Sequence, residues 1–250
     1  METQNNEDVI KFLTLLANKG NVDAQYDLGT CYHKGINVKQ NFNKAVEWFG
    51  KAAEQGHAAS QCELGYCNYN GEGVMKNYRV AVKWFEKAAD QGYAVAQYAL
   101  GMCYYEGKSV AQDYEQAVNW LGKAAEQGHA AAQHNLAVCY YEGQGVSQNY
   151  KQAVSWLEKA ATQGDGGAQY TLGVCYYGGQ GVTQDYQQAV QWFGKAAEQG
   201  HAVAQYNLGV CYYSGTIVNQ DHEQAVYWLK KAVAQGHAQA KALLYKLGQK

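Results

Sequence analysis

Tryptophan recurs at Trp48, Trp84, Trp120, Trp156, Trp192 and Trp228, exactly 36 residues apart each time, and no insertion breaks the register. Gly20, Gly56, Gly92, Gly128, Gly164, Gly200 and Gly236 keep the same interval. A repeat this strict rules out one central core, because each copy can bury its apolar face only against its neighbours. The 250 residues therefore count repeats and not globular domains. The stretch WFGKAAEQGHA runs from Trp48 to Ala58 and again, letter for letter, from Trp192 to Ala202. Such identity exceeds structural need and points to recent duplication or deliberate consensus construction.

Within one copy the apolar spacing is helical twice. Ala96, Leu100, Cys103 and Tyr104 fall on one helix face, and Tyr114, Ala117, Val118, Leu121 and Ala125 fall on another. The second helix is expected to start at Asn41, Asn77, Asp113, Asn149, Asp185 or Asp221 as N-cap. Gln116, Gln152, Gln188 and Gln224 stand three residues on, at the capping-box position. It should end at a Gln-Gly pair such as Gln127 and Gly128, with glycine as left-handed cap and Lys123 near the negative end of the dipole. Gly29, Gly65, Gly101, Gly173 and Gly209 lie inside the first helix, which implies a close neighbour near Ala45 and its equivalents. The tryptophans read as core. The predicted domain plan is a half-repeat at 1–20, six repeats at 21–56, 57–92, 93–128, 129–164, 165–200 and 201–236, and a half-repeat at 237–250, about fourteen helices in all.

Twenty basic and 22 acidic residues, spread along the chain, leave a formal charge of −2 and no basic stripe, so nucleic acid is not an expected partner. Val9 to Ala17 is apolar but short and broken by Lys11 and Thr14, so neither a signal peptide nor membrane insertion is expected. Cys31, Cys67, Cys103, Cys139, Cys175 and Cys211 share the 36-residue interval. Helices stacked about 8 to 10 Å apart hold equivalent cysteines beyond the roughly 7 Å limit for bridged Cα atoms. Free buried thiols suit a reducing cytoplasm. Cys62 adds neither a C-x-x-C pair nor a zinc pattern, and no metal or cofactor is expected.

The copy reads A-x-Y-x-L-G-x-C-Y-Y-x-G-x-G-V-x-Q-D/N-Y-x-x-A-V-x-W-F-x-K-A-A-x-Q-G-H-A and closely resembles the Sel1-like repeat family, relatives of the tetratricopeptide repeats, over residues 21 to 236. The resemblance implies an all-α, right-handed superhelical solenoid of antiparallel helix pairs and an adaptor that binds protein or peptide partners. The chain departs from the family's cysteine-rich secreted branch, which pairs two cysteines inside each repeat.

In the related repeats the first helix lines the concave face. Matching Leu100, Gly101 and Tyr104 to that core aims a tyrosine-rich ladder at the groove: Tyr98, Met102 and Tyr105; His134, Val138 and Tyr141; Tyr170, Val174 and Tyr177; Tyr206, Val210 and Tyr213. Tyrosine offers wide contact at low entropy cost and suits an extended or helical peptide. The competing reading packs these rings on the next repeat. His57, His129, His201 and His237 sit on separate layers and read as solvated turn residues. Asp165, Gly166 and Gly167 replace the usual His-Ala-Ala and predict either a loosened helix start or plain tolerance. No S-x-x-K, G-x-S-x-G, H-E-x-x-H or Walker loop occurs, which argues against an enzyme. The alternatives are an enzyme of hydrolase or β-lactam-binding type, as suggested for cysteine-rich relatives, and a structural array without ligand.

Overall fold

The computed structural model describes residues 2–248, with side chains from residue 8 onward. Met1, Gln249 and Lys250 of the expected half-repeats lie outside the described residues. Among the described residues there are fourteen helices and no strands, a solenoid of repeated helical hairpins. None of the helices is long and apolar enough to cross a membrane.

The chain forms two compact units that divide between Gln127 and Gly128. The N-terminal unit holds α1 (Glu2–Asn18), α2 (Val22–Lys34), α3 (Phe42–Glu54), α4 (Ala58–Asn70), α5 (Tyr78–Asp90), α6 (Ala94–Glu106) and α7 (Tyr114–Glu126). The C-terminal unit holds α8 (Ala130–Glu142), α9 (Tyr150–Thr162), α10 (Gly166–Gly178), α11 (Tyr186–Glu198), α12 (Ala202–Ser214), α13 (His222–Ala234) and α14 (Ala238–Gly248). Inside each unit every helix packs on the next in the chain.

Both ends of the second helices follow from their residues, with one difference. Asn41, Asn77, Asp113, Asn149, Asp185 and Asp221 each accept the backbone N–H three residues on. The expected reciprocal half of the capping box has no free donor to meet. The N-cap N–H of Asp113 already donates to the Tyr104 carbonyl at 3.0 Å, and Asn149, Asp185 and Asp221 do likewise to Tyr140, Tyr176 and Tyr212. At the other end Gly56 takes φ +90°, and the N–H of His57 reaches back to the Ala52 carbonyl at 3.1 Å, a Schellman closure.

The helical glycines face the large residue after each tryptophan. A Cβ on Gly29 would lie 2.5 Å from Cδ1 of Phe49, and one on Gly173 would lie 2.7 Å from Phe193 and 3.2 Å from the Ala189 carbonyl. The expected neighbour near Ala45 is thus only part of the contact, and the ring four residues further is the tighter part. The tryptophans are less buried than expected. Trp48 and Trp228 are inside, while Trp84, Trp120, Trp156 and Trp192 are half-buried. The ammonium of the lysine three residues on lies over each indole, 3.8 Å from the ring centre for Lys123 on Trp120 and 4.0 Å for Lys195 on Trp192.

A buried amide relay ties the layers together. Gln25, Gln61, Gln97, Gln169 and Gln205 each donate Nε2 to the carbonyl of an alanine near the end of the preceding second helix, at 3.0 to 3.2 Å. Their Oε1 accepts from the glutamine that closes the following second helix, as in Gln55 to Gln25 at 2.8 Å and Gln199 to Gln169 at 2.7 Å. A side-chain amide is thereby satisfied in an otherwise apolar layer.

Candidate functional site

The twelve ladder residues are half-buried except Tyr177, which is 49% exposed, so none is sealed in the core. In the C-terminal unit Tyr170, Val174 and Tyr177 of α10 and Tyr206 and Val210 of α12 line one cleft of about 450 Å³, together with Phe193, Asn207 and Ile217. Tyr213 lines a different cleft with His222 and Leu247. In the N-terminal unit Tyr98 and Met102 of α6 share a smaller cleft of about 180 Å³ with Tyr66 and Tyr69 of α4. Tyr105, His134, Val138 and Tyr141 line none of these clefts. Tyr69 was not among the expected residues, although it stands at the Tyr105 position one repeat earlier.

The rings are held in place by two sets of contacts. The last tyrosine of each triplet packs edge to face on the first residue of its own second helix, with Tyr105 on Tyr114 at 5.3 Å, Tyr141 on Tyr150 at 5.0 Å and Tyr177 on Tyr186 at 5.2 Å. The first tyrosine stacks on a histidine of the next repeat, with Tyr170 on His201 at 4.7 Å and Tyr206 on His237 at 4.6 Å. Inter-repeat packing and partial exposure therefore coexist in the same side chains.

Those histidines are not solvated turn residues. His57, His129, His201 and His237 are half-buried, and Nδ1 of each accepts a backbone N–H at the start of the first helix, at 3.2 to 3.3 Å. An acceptor at Nδ1 requires the neutral ring with its hydrogen on Nε2. Burial also lowers the titration of His129 and His201 below the usual imidazole range; for His201 the nearby His134 lowers it further.

The Asp165 to Gly167 departure is a local exchange and not a loosened helix. Asp165 caps α10, accepting from Ala168 N–H at 2.7 Å, and α10 has the same 13 residues as its equivalents. A Cβ on Gly167 would lie 2.5 Å from Cε1 of His134, whose Nδ1 sits 3.4 Å from the Asp165 carboxylate. His134 thus takes the room that a side chain at 167 would fill.

Three repeat junctions carry a pairing of their own 39 residues apart: His33 with Glu72, Lys108 donating to the Tyr69 hydroxyl, and the Tyr141 hydroxyl donating to Gln180. All seven cysteines are free thiols, as expected. Burial pushes Cys62 and Cys67 up to about 12 and Cys103, Cys139 and Cys175 up to about 11, which leaves them protonated and weakly nucleophilic.

A search of curated proteins returns no match. Among solved structures, the chain is similar to a protective antigen of uropathogenic Escherichia coli that displays an SLR fold, at 37% identity and a TM-score of 0.86 over 95% of this chain. The chain spans about half of that protein, 51% of its length. A Sel1 repeat protein from Oxalobacter formigenes matches at 33% identity and a TM-score of 0.82, over 92% of this chain and 94% of the other. The family model of the Sel1 repeat matches residues 22–57, 58–93, 94–129, 130–165, 167–201 and 202–237. This is a typically non-enzymatic fold that generally mediates protein–protein interaction. With six matched copies and two relatives above 30% identity, the chain belongs to the Sel1 repeat family.

Proposed function

We propose that the chain is a scaffold that captures a protein or peptide partner on the tyrosine-rich face of its first helices. The observation that carries this reading is the cleft between α10 and α12, where Tyr170, Val174, Tyr177, Tyr206 and Val210 stand together and remain partly open. At about 450 Å³ it is large enough for one or two apolar side chains of a bound segment, with phenolic hydroxyls at hand for that segment's backbone. The rings are fixed by edge-to-face and stacked neighbours, so little side-chain entropy remains to be lost on binding. His134, Val138, Tyr141 and Tyr213 belong to this reading in the C-terminal unit, and Tyr98, Met102 and Tyr105 do so in the N-terminal unit. A reducing cytoplasmic location belongs to this reading and is supported by the seven free thiols.

The test is affinity capture with cross-linking mass spectrometry, comparing the native chain with a Tyr170→Ser, Tyr177→Ser, Tyr206→Ser variant, the three tyrosines of that cleft. The variant should keep its helical circular dichroism and lose the partner cross-linked at the first helices. An unchanged partner set, captured by a variant that is still folded, would reject this face.

A further inference from the structure

Read along the sequence, the chain shows no metal-binding spacing, yet the N-terminal unit brings three donors of different chemistry to one junction. His33 lies in the last turn of α2, Cys67 on α4, and Glu72 in the turn after α4. Nε2 of His33 is 2.7 Å from Oε2 of Glu72, and a ring nitrogen of His33, a carboxylate oxygen of Glu72 and the Cys67 sulfur all lie within 4.8 Å of one another. Among the described residues no other trio of histidine, cysteine and carboxylate donors gathers this closely.

The repeat register shows what is particular here. The positions equivalent to His33 hold Tyr69, Tyr105, Tyr141, Tyr177 and Tyr213, and those equivalent to Glu72 hold Ile36, Lys108, Gln144, Gln180 and Thr216. The thiol is common to all six repeats. Only at this junction have a ring nitrogen and a carboxylate both arrived beside it.

All three donors are held before any ion enters. The His33 ring packs edge to face on Phe42 at 5.3 Å and lies tilted against Phe49 at 6.2 Å. The Glu72 backbone N–H donates to the Cys67 carbonyl at 2.9 Å, and its second carboxylate oxygen accepts from Asn70 at 3.3 Å. Cys67 is fully buried, while the His33 and Glu72 side chains are 25% and 31% exposed, which leaves an entry path on one side.

We propose that His33 Nε2, the Cys67 thiolate and one Glu72 oxygen bind a borderline-soft divalent cation of the zinc type, with solvent in the fourth tetrahedral position. Zinc bond lengths imply donor-to-donor edges of roughly 3.4 to 3.6 Å. The present spacings, from 2.7 Å to at most 4.8 Å, bracket that value, so seating the ion takes shifts of about 1 Å. A thiol and an imidazole together exclude the hard cations that prefer all-oxygen sites. Binding expels the thiol proton to solvent and shifts the ring hydrogen of His33 from Nε2, where it faces the Glu72 carboxylate, to Nδ1, freeing the Nε2 lone pair for the ion.

Cobalt serves as the spectroscopic probe. Titrating the reduced, metal-free full chain with Co²⁺ should give one equivalent of binding, a thiolate-to-metal charge-transfer band in the near ultraviolet, and displacement by Zn²⁺. His33→Tyr, which restores the residue of the equivalent positions, and Glu72→Gln should each weaken Co²⁺ binding at least roughly tenfold, the low end for loss of even a supporting group. Cys67→Ala should abolish the band; if that buried substitution fails to fold, the other two variants decide. No charge-transfer band from the native chain, or unchanged affinity in either His33→Tyr or Glu72→Gln, overturns the site.

Discussion

Gln205 offers the sharpest test of how the layers are held. Its Nε2 donates to the Ala197 carbonyl at 3.0 Å, and its Oε1 accepts from Gln235 at 2.9 Å, in a position only 3% exposed. Gln205→Met keeps the volume and removes both bonds. The Ala197 carbonyl still receives the Gly200 N–H at 3.0 Å, and the Gln235 amide still reaches the Gly200 carbonyl at 2.8 Å, so neither partner is orphaned. The expected loss is therefore that of two ordinary hydrogen bonds, about 2 kcal/mol in total, and not the larger penalty of stranded buried groups. Gln205→Glu is different, because an unprotonated oxygen would then face the Ala197 carbonyl. An uncompensated buried charge costs about 3 to 5 kcal/mol. Protonation restores a donor, so this variant alone should regain stability as pH falls. Urea unfolding followed by far-ultraviolet circular dichroism measures both losses, and amide exchange in α12 and α13 localises them. Pairing Gln205→Met with Gln235→Met should show a coupling of about 1 kcal/mol. If Gln205→Met stays within about 0.3 kcal/mol of the native chain and Gln205→Glu is no worse, the relay is not what holds these helices.

Two further outcomes follow from the same geometry. Gly173→Ala should destabilise by about 1 to 3 kcal/mol through overpacking on Phe193, and adding Phe193→Leu should recover most of it, because Ala137 already packs beside Leu157 in this chain; thermal melts of both variants decide. His129 and His201 titrate below the usual imidazole range, so their caps contribute fully above the unfolded value of about 6.5 and fail as pH drops through the lower folded value. His201→Asn keeps a capping acceptor without a titrating ring, and it should flatten part of the acid-side decline in a melting-temperature profile; an identical profile would remove His201 from that account.

Much of the architecture could be read directly because the residues responsible act locally. Asn or Asp at a helix start and Gln-Gly at its end name their own backbone partners within four residues, and the tryptophan interval supplies the register. The relay glutamines escaped that reading, since an amide among apolar neighbours looks solvent-facing until its partners 8 and 30 residues away are known. Their appearance in every repeat while adjacent positions vary was the available signal. The histidine caps were missed for a related reason, because histidine is a rare N-cap and its role rests on which ring nitrogen accepts. The tyrosine ladder was legible as a set of half-buried positions, yet which rungs share a cleft depends on side chains such as Phe193 and Ile217 that periodicity does not rank. His33, Cys67 and Glu72 lie too far apart in the chain for any short ligand motif to link them.

The pairings 39 residues apart carry a consequence for assembly order. Modules this alike could dock against the wrong sibling during folding, since the amide relay would be equally content with any copy. A histidine answered by a carboxylate differs from a phenol answered by an ammonium or an amide, so three seams carry a contact that their siblings lack and that favours the neighbour in the chain. The duplicated body supplies adhesion, and at three seams a side-chain pair adds a mark of its own.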